Sequence, residues 1–152
     1  MSERPRITVA AVIERGGQFL LVEEDDEGRM LLNQPAGHLE LNESLVEACT
    51  REVLEESAWH FRPRELVGIY SWSKPASASS AGLSYLRFAF CGDLGAHEAG
   101  RPLDTGIARA LWLDAAAIRA SRARHRSPLV LRCMEDYLAG RRYPLDVLIE
   151  HV

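Results

Sequence analysis

Cysteine is scarce in this chain. The three present, Cys49, Cys91 and Cys133, are odd in number and show no CxxC spacing, which argues against a disulfide framework and a zinc site and leaves buried free thiols as the reading. Long apolar runs are missing too. The opening stretch MSERPRITVAAVIERGG is charged at its start but lacks an apolar segment of signal-peptide length. No later run approaches the length that spans a bilayer, so a reducing, cytoplasmic setting without membrane contact is expected. Nor is there a surplus of charge of one sign. A formal net charge of -4 is mild, which speaks against a surface built to coat a nucleic-acid polymer or an anionic membrane. A small anionic ligand remains compatible with it where a metal or a local group of arginines offsets the repulsion.

What is present suffices for one globular domain. With 152 residues, 47% of them hydrophobic, the chain can bury its apolar side chains around a single core, and no repeat or linker composition divides it, so one domain over 1–152 is expected. RITVAAVIE at 6–14 is rich in β-branched residues and stops at Gly16 and Gly17 before QFLLVEE, which predicts that these two runs pair as a hairpin. After the Pro-Ala-Gly break in MLLNQPAGHLE, residues 43–57 carry helical periodicity with Asn42 as N-cap. Strands are predicted around 66–72 and 85–91, joined by PASASSAG, which reads as a mobile loop. ARALWLD predicts a further strand. DAAAIRA and SPLVLRCMEDYLAG predict helices, the second starting at Ser127 with Pro128 in its first position and ending at Gly140. The fold class is α/β or α+β, a mixed sheet with a few helices.

The helix over 43–57 gathers like charge. At about 100° per residue, Glu52, Glu55 and Glu56 fall within an arc of roughly 100°, so their carboxylates share one face. Leu45, Val46, Cys49 and Val53 define the buried stripe, and Glu56 projects at its edge, toward the core. Repulsion between Glu52 and Glu56 at i,i+4, together with acids in the C-terminal half of a helix, costs a few tenths of a kcal/mol per interaction. A divalent cation removes both penalties, and hard oxygen ligands suit Mg²⁺. Arg51, between Glu47 and Glu55 at i±4, is placed to orient a carboxylate or to form a plain helical ion pair.

Gly37, five residues, Glu43, seven residues and then REVLEESAW resembles the Nudix box, G-x5-E-x7-R-E-U-x-E-E-x-G-U with U an apolar residue. One position departs: Ala58 stands where the box has glycine, just past the helix, where a positive φ is eased by lacking a Cβ. NQPAGHLE, RSPLV and RYPL are similar to the NudJ-type branch of that family. The resemblance implies a mixed sheet sandwiched between helices. It implies hydrolysis of phosphoric anhydrides with Mg²⁺, Mn²⁺ substituting, and terminal phosphate release from hydroxymethylpyrimidine diphosphate, thiamine diphosphate or nucleoside di- and triphosphates. It makes Glu52 and Glu56 the principal metal ligands, Glu55 a third ligand or the group that handles the attacking water, Arg51 part of the catalytic set, and the Gly37 carbonyl a further ligand. Glu43 receives a structural role, pairing with Arg51 or holding the loop to the helix.

Several further residues carry two readings each. Asp104 in RPLDTG is either an acid recruited from outside the box or a turn residue. Gln34 and His38 meet phosphate or base, or stabilise the turn. Trp72 stacks on a substrate ring or packs in the core, and Arg87 is a candidate phosphate contact. In RASRARHRS the arginines read as a solvated face, except Arg126, which with Tyr143 is a substrate-binding candidate by the branch pattern. The rival functions are hydrolysis of another diphosphate, such as a dinucleotide or nucleotide sugar, and a non-catalytic nucleotide-binding module. The partner expected is a small diphosphate, with the protein a monomer or homodimer.

Overall fold

The computed structural model describes residues 4–78 and 81–152. Ser79 and Ser80, inside the loop expected between the two central strands, lie outside the described residues. In chain order the elements are β1 (Arg6–Ala11), β2 (Glu14–Arg15), β3 (Gln18–Asp26), β4 (Arg29–Asn33), β5 (Ala36–His38), α1 (Leu45–Ser57), β6 (Trp59–Lys74) and β7 (Leu83–His97). They continue with β8 (Ile107–Asp114), α2 (Ala115–Ala120), α3 (Leu129–Leu138) and β9 (Tyr143–Pro144). None of the helices among the described residues is long and apolar enough to cross a membrane.

The strands form two sheets. The first is mixed, in the order β5-β1-β7-β6-β9, with β1 parallel to β7; the second joins β2, β3 and β4, with β8 antiparallel to β3. Side chains alternate across the strands into two cores. Val9, Leu20, Leu66 and Phe90 meet Leu45, Ala48, Cys49 and Val53 of α1 on one side. Phe19, Leu21, Val67 and Ala89 meet Ile118 of α2 and Leu129, Cys133 and Met134 of α3 on the other. Helices thus cover both faces, the arrangement of an α+β domain with a mixed sheet.

Three sequence expectations are corrected. The β-branched run 6–14 is not one arm of a hairpin: β1 pairs with β5 and β7, and the Gly16–Gly17 turn joins only the short β2 to β3. Between them the buried Val12 and Ile13 point into opposite cores, so the chain changes sheets inside a run whose composition is uniform. Second, α1 is capped by Ser44, not Asn42. The Ser44 hydroxyl accepts from the Glu47 amide and the Glu47 carboxylate accepts from the Ser44 amide, both at 3.0 Å, a reciprocal capping box. Asn42 turns the chain ahead of it at φ 62°. Third, α3 begins at Leu129 with Pro128 as its cap, and the Ser127 hydroxyl accepts from the Leu129 amide at 3.1 Å.

Candidate metal and substrate site

The capping box fixes where α1 begins, and so which helix positions arrive opposite β5. There Glu52 and Glu56, 9% and 8% exposed, meet the strand edge. The Ala36 amide donates to Glu56 at 2.9 Å. Gly37 stands against the Glu52 carboxylate, where a Cβ would collide with it. Asp104 arrives from the loop between β7 and β8, its amide donating to the Glu55 carbonyl at 2.9 Å and its own carbonyl accepting from Ile107 at 3.0 Å. Ligand oxygens of Glu52, Glu56 and Asp104 all lie within 4.8 Å of one another. Asp104 is therefore a turn residue and also a member of the acidic cluster.

Glu55 is not part of that cluster. Arg51 Nη1 donates to Glu52 at 2.8 Å and to Glu55 at 2.9 Å, while Nε and Nη2 donate to the two oxygens of Glu43 at 2.6 and 2.9 Å. Glu43 also accepts from the Glu40 amide at 3.1 Å, tying the loop before the helix to the helix. Glu47, expected beside Arg51, is taken by the capping box instead.

The cluster opens on a cleft of about 790 Å³, within the range of small-molecule sites. Its floor is one face of the first sheet: Arg6 and Thr8 of β1, Tyr85 and Arg87 of β7, Trp72 and Lys74 of β6. Register sets them in rows, Thr8 opposite Arg87 and His38, then Arg6 and Trp72 opposite Tyr85. Trp72 and Tyr85 stack with ring centroids 5.7 Å apart. Glu24, Asn33, His38 and Arg126 complete the walls.

A NUDIX domain family model matches residues 3–133. The chain belongs to the Nudix family. It is 38% identical to "Phosphatase NudJ" of Escherichia coli K12 over 145 residues, 95% of this chain and 91% of that one. A solved "NUDIX hydrolase from Nitrosomonas europaea" matches with 53% identity and a TM-score of 0.90, covering 97% of this chain and 98% of that one. The MutT protein of Bacillus halodurans, 16% identical, shares the fold at a TM-score of 0.70 over 91% of this chain and 85% of its own. The protein is thus a Nudix hydrolase, NudJ-like, an enzyme acting on phosphoric anhydrides.

Within this Nudix domain, two substrate-contact expectations are corrected. Gln34 does not reach the cleft. It is 2% exposed, its amide nitrogen donates to the Val130 carbonyl at 2.8 Å and its oxygen accepts from Arg87 at 3.0 Å. Tyr143 lies on β9 paired with Leu66 and lines a different cleft, beside Tyr70, Arg132 and Asp136. His38, Trp72, Arg87 and Arg126 all line the Nudix cleft, Arg126 reaching Glu24 at 3.5 Å. Of the remaining arginines of RASRARHRS, Arg119 pairs with Glu135 and Arg124 with Glu23.

Sequence reasoning passed over Glu24 and Asn33. The acids of VEEDDE were available as a signal, but only the tertiary fold brings Glu24 into the same cleft as Glu56 and sets Asn33 between Glu24 and Arg87.

Burial dominates the electrostatics of the acids. It pushes Glu56 up to about 9 against the Ala36 amide bond, with Glu24, Glu52 and Asp104 adding repulsion. Glu52 rises to about 7, burial outweighing the hydrogen bond from Arg51. Glu43, by contrast, is held below the usual carboxylate range by its hydrogen bonds from Arg51. Two buried carboxyls and a nearby exposed aspartate form an all-oxygen donor set, which fits a hard divalent cation of the Mg²⁺ or Mn²⁺ kind.

Proposed function

We propose that this enzyme is a Mg²⁺-dependent phosphohydrolase, with Mn²⁺ able to substitute. It removes the terminal phosphate of small diphosphates such as hydroxymethylpyrimidine diphosphate, thiamine diphosphate or nucleoside di- and triphosphates. It works as a single domain in a reducing, cytoplasmic setting, as a monomer or homodimer. The observation that carries the reading is the convergence of Glu52, Glu56 and Asp104 at one end of a cleft whose floor is cationic and aromatic. These carboxylates alone would repel a diphosphate.

Glu52, Glu56 and Asp104 would hold the metal, with the carbonyl of Gly37 beside them. When bound there, the cation supplies charge neutralisation, alignment of the phosphate and an acidified water. Arg51 fixes Glu52 and keeps Glu55 and Glu43 oriented around it. His38, Trp72, Arg87 and Arg126 form the walls against which the substrate rests, Trp72 with Tyr85 taking a planar ring.

Phosphate release from a panel of these compounds, with and without Mg²⁺, tests the reading. Turnover that requires Mg²⁺ and is lost in Glu52→Gln and Glu56→Gln is expected. Turnover that proceeds equally in EDTA, or release of nucleoside monophosphates from dinucleotides alone, overturns it.

A further inference from the structure

We propose that Arg87 is the phosphate-receiving cation of this cleft, preset for an anion by Asn33 and Gln34. The inference rests on the hydrolase reading and names the side chain, apart from the metal-holding acids, that grips the anhydride. Arg87 is 6% exposed, yet its contacts are all neutral. Nη1 donates to Gln34 Oε1 at 3.0 Å and to Cys133 Sγ at 3.9 Å, and Nη2 donates to Asn33 Oδ1 at 2.9 Å. Arg51, Arg109, Arg124 and Arg132 each meet a carboxylate. Among the described residues no carboxylate pairs with Arg87.

Burying a guanidinium is unfavourable unless it is paired, and amide oxygens return only part of the lost hydration. A tie between β4, β7 and α3 needs a hydrogen-bond donor and does not need a charge. Both amides are themselves fixed. Gln34 donates to Val130 and Asn33 donates to Glu24 at 3.2 Å, so each keeps its oxygen turned toward Arg87. The guanidinium is therefore oriented before any ligand arrives, which removes an ordering cost from binding. Its Nε–H has no acceptor among the described residues, and His125 Nδ1 is the buried side-chain atom left without a partner there. Arg87 itself lines the cleft, so a ligand there can reach the guanidinium from the side that Asn33 and Gln34 leave free.

A phosphate is the group whose charge and spacing suit a guanidinium fork. Tyr85, stacked with Trp72, lies two residues earlier on the same face of β7, about 7 Å along the strand. A planar ring on that pair leaves its phosphates beside Arg87. The ligand class is thus a phosphoric anhydride carried by a planar ring.

The test is steady-state hydrolysis by wild type, Arg87→Met and Arg87→Lys of any anhydride the wild type accepts, with inorganic phosphate as competitive inhibitor and Mg²⁺ uptake followed by calorimetry. In Arg87→Met we expect phosphate inhibition to weaken and kcat/KM to fall at least tenfold, with Mg²⁺ uptake unchanged. Arg87→Lys, which keeps the cation and loses the fork, loses at least threefold in phosphate inhibition. A smaller loss in either folded variant overturns the assignment, and Arg87→Lys decides it alone should Arg87→Met not fold. Should the wild type hydrolyse nothing, the hydrolase reading fails separately, and direct titration of the same variants with inorganic phosphate judges Arg87 by the same thresholds.

Discussion

Gly37 of β5 and Glu52 of α1 are packed so closely that any side chain at position 37 would overlap the Glu52 carboxylate. Glycine is required there for space: its φ is not among the positive ones. Gly37→Ala is therefore expected to displace Glu52 from Glu56 and Asp104 while α1 stays capped. Calorimetric Mg²⁺ affinity should fall at least tenfold with the far-ultraviolet circular dichroism unchanged. Wild-type affinity in a folded variant would show that Glu52 does not hold the metal.

Glu55 and Glu56 are adjacent in sequence and differ in surroundings. Glu55 is held by Arg51 outside the acidic cluster, whereas Glu56 is buried within it beside Asp104. Glu56→Gln and Asp104→Asn should each weaken Mg²⁺ uptake by tenfold or more, and Glu55→Gln by less than threefold. Equal losses in all three variants would place Glu55 among the ligands.

The metal-free protein should lose stability as pH rises. In the unfolded chain both carboxyls release their protons near 4.5, whereas the folded chain holds them to about 7 at Glu52 and about 9 at Glu56. Below pH 4.5 both states are protonated and this contribution is fully present. From there upward the folded state binds more protons than the unfolded, so unfolding free energy declines through pH 7 and levels above pH 9. Chemical denaturation in EDTA at pH 5, 7 and 9 measures the decline, and saturating Mg²⁺ should flatten it because binding displaces the same protons. A metal-free stability that rises across this range contradicts the burial of Glu52 and Glu56.

Ala58 closes α1 at φ 63°, ψ 14°, a left-handed conformation unfavourable for a residue with a Cβ. Ala58→Gly should stabilise the fold by about 1 kcal/mol, the relief of strain outweighing the added freedom of the unfolded chain. A denaturation midpoint that moves downward would show that the strain is absent.

Glu43 joins Nε and Nη2 of Arg51 to the loop after β5. Glu43→Ala leaves a partly buried arginine with Glu52 and Glu55 as its helix partners. A loss of about 2 kcal/mol is expected, the scale of a charge-assisted bidentate contact, read by urea unfolding. An unchanged midpoint would mean that Glu40 or water replaces it.

Local rules made the acidic helix legible in the sequence, because helix geometry alone turns the spacing of Glu52, Glu55 and Glu56 into a shared face and the spacing from Gly37 to Trp59 into a family resemblance. Turns marked by glycine and the burial of Leu45, Cys49 and Val53 follow from equally local preferences. The partner of β1, the departure of Gln34 and Tyr143 from the cleft, and the arrival of Asp104 and Glu24 beside Glu56 were decided by tertiary structure. A run of β-branched residues specifies a strand but not its neighbour, and an aspartate in a turn specifies a turn but not what the turn leans on. Those choices depend on strand register and loop closure over the whole chain, which no short stretch of sequence contains.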